Sequence, residues 1–364
     1  MTEQDDKTNM KKGNSIKRYI IGMALALSLC LAGCGKESQT VPAETTPAKK
    51  PSVIGFSQLG AESDWRSANT ESMKRTFTAE NGYTLIFEDG QQKQSNQIRA
   101  IRTFIQQEVD YIVLAPVTET GWDTVLQEAK DAGIPVIILD RQVDVQDESL
   151  FTCWVGSDFE LEGKMVTEWL REYIIAKNMN PSDIHIANIQ GTIGASAQIG
   201  RTKGLAKAAR ENGWDLLAEV TGDFTQTKGR EVMISLLATY KELNVVYCEN
   251  DNEAFGAIEA IEAAGRKAGS NLAAGEIMVI SFDGVKKDAM QYVFEDKISC
   301  IGECDPLQGP MVQEVINKLE NGEEPEKFTY IQEGILTHDD TVLEVMIGGK
   351  KHPVTVVTQD MLSD

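Results

Sequence analysis

Short apolar runs alternate with longer amphipathic segments along most of the chain. The run SVIGFS at 52–57 reads as a strand, and 65–80 as a helix that Asn81-Gly82 ends. Next come a strand at 83–87, a helix at 95–107, a strand at 111–114, a helix at 120–132 and a strand at 135–139. The alternation then starts again. Strands at 151–155, 184–189, 216–220, 245–248, 277–282 and 298–302 are followed by helices at 161–176, 195–212, 228–240, 253–264, 289–294 and 310–319. Strands of near-continuous apolar residues between helices argue for parallel sheets covered on both faces. Two series of similar length predict an α/β protein of two Rossmann-like lobes. Each is an open parallel sheet whose ligand face lies at the carboxyl ends of its strands. The stretch 334–364 fits neither series, and its HDDTV and hairpin-like MIGGKKHPVTVV segments find no place in it.

Polar residues gather where that rule puts a ligand. Glu62, Asp64, Trp65 and Arg66 follow the first strand, and Asp140 and Arg141 the fourth. Thr192 lies in the loop after 184–189, Asp223-Phe224 follow 216–220, and Glu249-Asn250-Asp251 follow 245–248. Asp283 follows 277–282, and Glu303 follows 298–302. Each alone is a common turn or cap residue. Repeated in two lobes, they suit a sugar. Carboxylates and amides bind hydroxyls in pairs, arginine donates as a fork, and Trp65 and Phe224 can cover the C–H face. Trp122 opens the helix after the third strand, within reach of the cleft, whereas Trp169 and Trp214 read as core. His185, His338 and His352 show no metal-ligand spacing, and His185 reads as a packed strand residue.

Charge and the first residues change the picture. Lys11, Lys12, Lys17 and Arg18 precede an apolar run at 19–31, shorter than the ~20 residues that span a bilayer. Leu31-Ala32-Gly33-Cys34 resembles the lipobox of bacterial lipoproteins, which implies a cleaved signal over 1–33 and a diacylglycerol on Cys34. The segment 35–51, poor in apolar residues and holding three prolines, reads as a flexible tether. The expected product is exported and lipid-anchored to the outer face of the cell membrane. The 364 residues, 41% hydrophobic and 25% charged, describe an ordinary folded chain long enough for two domains. The net charge of −21 becomes −23 once 1–33, which sum to +2, are removed. So acidic a surface repels nucleic acid and anionic lipid. Cys153, Cys248 and Cys300 read as buried thiols. Cys300 and Cys304 would stand about 13 Å apart in extended chain, so no structural disulfide is expected. Dinucleotide and nucleotide-triphosphate loops are absent, as is any nucleophile motif.

The segments IGFSQLGAESDWR, LDRQVDV, QGTIGASAQIGRTKG, TGDFTQTKG, YCENDNEAFGAI and SFDG resemble a known family. They are similar, from about 53 to 330, to the type I periplasmic sugar-binding proteins, the ribose-type receptors of ABC importers. DGQQKQ, Thr120-Gly121-Trp122 and Trp65-Arg66 resemble the galactofuranose-binding subgroup. The resemblance implies the periplasmic binding protein type I fold with a three-crossover hinge near 157, 303 and 332. Residues 52–157 plus 304–332 would form the N-terminal lobe, and 158–303 plus 333–364 the C-terminal lobe. It also implies that Asp140 and Arg141 bind ring hydroxyls from one lobe and Arg201, Asn250 and Asp283 from the other, beside Phe224. Arg66 stands where ribose binders carry a second Phe, Ala115 where they carry Asn, and Glu303 where they carry Gln. These departures argue against ribose and for a larger or more hydroxylated sugar.

The expected protein is therefore a monomeric extracytoplasmic receptor, not an enzyme, with no cofactor, no metal and no nucleic-acid partner. It captures a galactofuranose-like mono- or oligosaccharide, closes over it and delivers it to the membrane subunits of an ABC permease. The expected site comprises Glu62, Asp64, Trp65, Arg66, Asp140, Arg141, Thr192, Arg201, Phe224, Asn250, Asp283 and Glu303. The alternative is a receptor that presents its ligand to a sensor kinase or chemoreceptor, which would share the pocket. A glycoside hydrolase built on Asp140, Asp283 and Glu303 is disfavoured by the missing motifs.

Overall fold

The computed structural model describes residues 50–285 and 287–362. The expected signal, Cys34 and the tether as far as residue 49 lie outside the described residues.

The first series supplies β1 (Ser52–Gln58), α1 (Asp64–Thr76), β2 (Tyr83–Asp89), α2 (Gln94–Gln106), β3 (Tyr111–Leu114), α3 (Asp123–Asp131), β4 (Val136–Leu139) and β5 (Cys153–Gly156). The second supplies α4 (Phe159–Ala176), β6 (His185–Gln190), α5 (Ser196–Asn212), β7 (Asp215–Thr221), α6 (Gln226–Thr239), β8 (Val245–Cys248), α7 (Asp251–Ala263), β9 (Met278–Asp283), α8 (Lys287–Phe294) and β10 (Cys300–Glu303). After these come α9 (Gly309–Glu320), β11 (Phe328–Tyr330), β12 (Ile335–Thr337), β13 (Glu344–Ile347) and β14 (Lys350–Val356).

Six strands in the order β11-β5-β4-β3-β1-β2 make an all-parallel sheet. Eight in the order β13-β14-β12-β10-β9-β8-β6-β7 make the second, parallel except where β12 meets β10 and β13 meets β14. Apolar side chains bury both faces of each sheet. Met73, Phe77, Val312 and Ile316 cover one face of the first, and Phe104, Leu126 and Trp154 the other. Trp169, Leu205 and Trp214 cover one face of the second, and Met233, Ile258 and Val293 the other. This is the two-sheet α/β architecture the alternation predicts.

The helices begin where short polar side chains satisfy their first N–H groups. Ser63 caps α1, Asp158 caps α4 and Asn250 caps α7. The chain crosses between the sheets three times, after β5, after β10 and after β11. Ser157, Cys304-Asp305 and Glu333 lie at these crossings.

Two expectations need correction, and one open stretch finds its place. Trp122 does not reach the cleft: it is fully buried in the core of the first sheet, and its indole N–H donates to the Thr118 carbonyl at 2.7 Å. His185 begins β6 at a sheet rim, part-exposed, with Nδ1 3.2 Å from Asp215 Oδ2, so the polar partner rather than packing places it. The unassigned tail joins the second sheet, β14 running parallel to β12 and β13 folding back on β14. Gly348 and Gly349 at φ 59° and 81° make the left-handed turn of that hairpin, which other residues enter only under strain.

Candidate binding site

The carboxyl ends of the two sheets face each other across a chamber. It is lined by Glu62, Ser63, Trp65, Arg66, Asp140 and Arg141 from the first side and by Phe159, Ala197, Arg201, Phe224, Asn250 and Asp283 from the second, with Cys304 at the crossing. Free space between these atoms amounts to about 280 Å³, counting the mouth.

Local backbone aims the side chains. Asp140, Phe224 and Asp283 hold φ of 61°, 60° and 104°, the left-handed region that side chains avoid. Strain of this kind costs about 1–3 kcal/mol per residue and persists only where neighbours enforce it. Trp154 Nε1 donates to the Asp140 carbonyl at 2.9 Å. Glu253 Oε1 accepts the Phe224 N–H at 2.8 Å, and Asp251 Oδ2 accepts the N–H of Gly284 at 2.8 Å. Gly191 lies under the Phe224 ring so closely that a Cβ there would sit 1.9 Å from Phe224 Cζ.

A network of ions forms the walls. Arg66 Nη2 donates to Asp140 Oδ2 at 2.6 Å, and Arg66 Nε and Arg141 Nη2 both meet Glu62 Oε1 at 3.3 Å. Arg141 Nη1 donates to the Val117 carbonyl at 2.9 Å, and its guanidinium lies 5.1 Å from the centre of the Phe224 ring. Across the chamber, Arg201 Nε donates to Glu162 Oε2 at 2.8 Å, Nη1 to the Glu249 carbonyl, and Nη2 stands 3.5 Å from Asp283 Oδ1. Gly204 allows this, since a Cβ there would meet the Gly163 backbone at 2.7 Å and force α4 and α5 apart.

Burial, and then the neighbouring Arg66, push Arg141 down to about 10. Burial raises Asp283 well above the usual carboxylate range; Arg201 opposes this, and Asp251, Glu162 and Asp140 add to it. Burial pulls Arg201 down, but the carboxylates around it, Glu162 foremost, outweigh this and hold the guanidinium charged. Four buried polar atoms on the lining side chains have no hydrogen-bond partner: Glu62 Oε2, Arg66 Nη1, Arg141 Nε and Arg201 Nη2. Trp65, Phe159 and Phe224 supply an apolar cluster beside them.

Nine of the twelve expected residues line the chamber, and Asp64, Thr192 and Glu303 do not. Asp64 is outside, bound to Asn252 across the mouth. Thr192 sits in the loop before α5, where its carbonyl accepts the Ala195 N–H. The Glu303 carboxylate turns away to accept the Gly334 N–H at 3.1 Å, because β10 pairs with β12 there. Asn250 lines the chamber but also caps α7 and donates to the Phe224 carbonyl at 3.1 Å. Sequence reasoning missed Ser63, Phe159, Ala197 and Cys304. Phe159 follows the end of β5 as the other site residues follow their strands, so the same rule could have found it.

Glu162, Cys304 and Glu333 bring one donor atom each within 4.8 Å of one another. One of the three, Glu162, is already paired with Arg201 at 2.8 Å.

Residues 54–324 match the periplasmic binding protein domain family. The chain is 41% identical over 284 residues to the galactofuranose-binding protein YtfQ of Escherichia coli, covering 77% of this chain and 86% of that one. A solved Mycobacterium smegmatis protein in complex with β-D-fucofuranose superposes with a TM-score of 0.73 at 40% identity, over 78% of this chain and 90% of that one. The binding component of the arabinose ABC transporter from Shewanella sp. ANA-3, bound to α- and β-L-arabinofuranose, gives 0.71 at 38% identity, over 78% and 91%.

Proposed function

The chain belongs to the periplasmic binding protein domain family, a family of binding proteins and not enzymes, and from that premise we propose that it captures a furanose sugar for an ABC importer. One observation carries the reading. Three N–H donors and one carboxylate oxygen, all buried and without a hydrogen bond, border a chamber with aromatic walls. Left unpaired, each such group costs about 1–3 kcal/mol, more when charged. Several hydroxyls on a small ring would satisfy them together, and the ring's C–H face would pack on Trp65, Phe159 or Phe224. Galactofuranose, fucofuranose and arabinofuranose, named for the relatives, share the five-membered ring, which supports a furanose over a ribopyranose.

Asp140, Arg66 and Arg141 would hold one side of the sugar and Arg201, Asn250 and Asp283 the other, so that closure completes the bonds and excludes water. The rigid bodies in this reading are 52–157 plus 304–332 and 158–303 plus 333–364. The receptor acts as a monomer held to the membrane by the lipid on Cys34, and the tether gives it the reach to hand its sugar to the permease.

Isothermal titration of the purified protein against D-galactose, D-fucose, L-arabinose and D-ribose tests the reading. At least one of the first three should bind below about 100 μM, roughly −5.5 kcal/mol, and more tightly than ribose. If no pentose or hexose reaches that affinity, the reading is wrong.

A further inference from the structure

Glu333 stands at the third crossing between the sheets, and its carboxylate holds the other two. Its Oε1 accepts the Ser157 hydroxyl at 2.7 Å, from the first crossing, and the Asp305 N–H at 2.8 Å, from the second. One oxygen thus joins every strand of the hinge. The side chain also faces Glu162 on α4 and the Cys304 thiol, with the three groups' donor atoms within 4.8 Å. Ser157 Oγ is 3.5 Å from Cys304 Sγ. Arg201, from α5, serves Glu162 at 2.8 Å rather than Glu333, and Glu162 Oε1 is left without a partner. Burial raises the Cys304 thiol, so it stays neutral and supplies no charge.

A negative charge at this point would be buried and would face Glu162. Burial first, and Glu162 second, push the Glu333 carboxyl up to about 9, against the pull of the Asp305 N–H, the Ser157 hydroxyl and Arg201. The geometry asks for a group that accepts two hydrogen bonds without bringing charge.

We propose that Glu333 is the positioning residue of the hinge, joining the three crossings as a neutral carboxyl in the closed receptor, so that sugar capture takes up a proton. This rests on the sugar-receptor reading. In an opened, wetted hinge the group returns toward its ordinary value near 4.5. Between that value and about 9, closure binds a proton that the open form lacks. Affinity therefore falls as pH rises through that window, by up to tenfold per pH unit, and levels off outside it.

The test is titration calorimetry of the full-length protein at pH 7 in buffers of different ionisation enthalpy, with whichever of L-arabinose, D-fucose or D-galactose binds. The wild type should take up a proton at Glu333 on binding, beside any taken up by the buried Asp283. Glu333→Gln keeps a carbonyl acceptor for Ser157 and Asp305, so it should still bind, with about one proton fewer taken up than the wild type and a shallower fall of affinity from pH 6 to 9. Glu333→Ala should bind weakly at every pH. No proton uptake by the wild type, or equal uptake by Glu333→Gln, overturns the proposal while leaving the receptor reading intact. If no sugar binds, the receptor reading fails and takes this proposal with it.

Discussion

Asn252→Ala should weaken sugar binding about 5- to 30-fold, although Asn252 lines no part of the chamber. Asn252 Oδ1 accepts the Asp64 N–H at 3.0 Å, and its Nδ2 donates to Asp64 Oδ2 at 3.3 Å, so α7 is tied to α1 across the mouth. A net hydrogen bond contributes about 0.5–1.5 kcal/mol, and more when one partner is ionised, so the pair should contribute about 1–2 kcal/mol. A receptor that opens returns both groups to water. The loss falls on the closed state and, through it, on the ligand that needs closure. Calorimetry would give the change in Kd, and stopped-flow displacement should place it in the off-rate. The sugar-free Tm should barely move, because Ala is a good helix former near the start of α7. An unchanged Kd would refute the claim that the contacts across the mouth stabilise the capturing state.

Arg201→Met removes the cation bonded to buried Glu162 and should cost about 3–5 kcal/mol in urea unfolding and abolish binding; a wild-type midpoint would mean that Glu162 is already neutral. Gly191→Ala drives a Cβ into Phe224 and should cost about 1–3 kcal/mol and weaken binding, read from the unfolding midpoint and Kd; no change in either would contradict the packing. Burial raises Glu249 to about 7, so the native state holds a proton that the unfolded chain releases near 4.5, and stability is lost as pH rises between these values. Glu249→Gln should flatten the Tm curve over that window, and an unchanged slope would count against the assignment.

The strands and helices were legible because each buried strand is a short apolar run with punctuation on both sides, as at Val245–Cys248, where expected and observed bounds agree. The chamber was legible for the same reason: strand ends face the ligand, and Asp140, Phe224 and Asp283 stand at strand ends. What stayed hidden is the layer that holds those residues. Trp154, Asp251 and Glu253 act through hydrogen bonds to backbone across sheet and helix, and a linear sequence shows only a core tryptophan and two helix-start acids. Trp122 misled because a residue at a helix start can turn its ring into the core, and Glu303 because a strand end can also point its side chain back into the fold. Register alone decides, and β12, which sets the register at Glu303, lies in the stretch that no pattern assigned.

The ion network argues for an uncharged ligand. Arg66, Arg141 and Arg201 are the cations of the chamber, and Glu62, Asp140 and Glu162 meet them at 2.6–3.3 Å. An anionic ligand would have to displace carboxylates already seated, and a cationic one would meet three guanidinium groups. The atoms left over are N–H donors and one carboxylate oxygen, which a polyol can satisfy without moving any charge. The same balance lets a chain of net charge −21 hold a neutral solute without electrostatic steering, so affinity depends on closure. Closure in turn depends on contacts outside the chamber, with Asn252 at the mouth and Glu333 at the hinge.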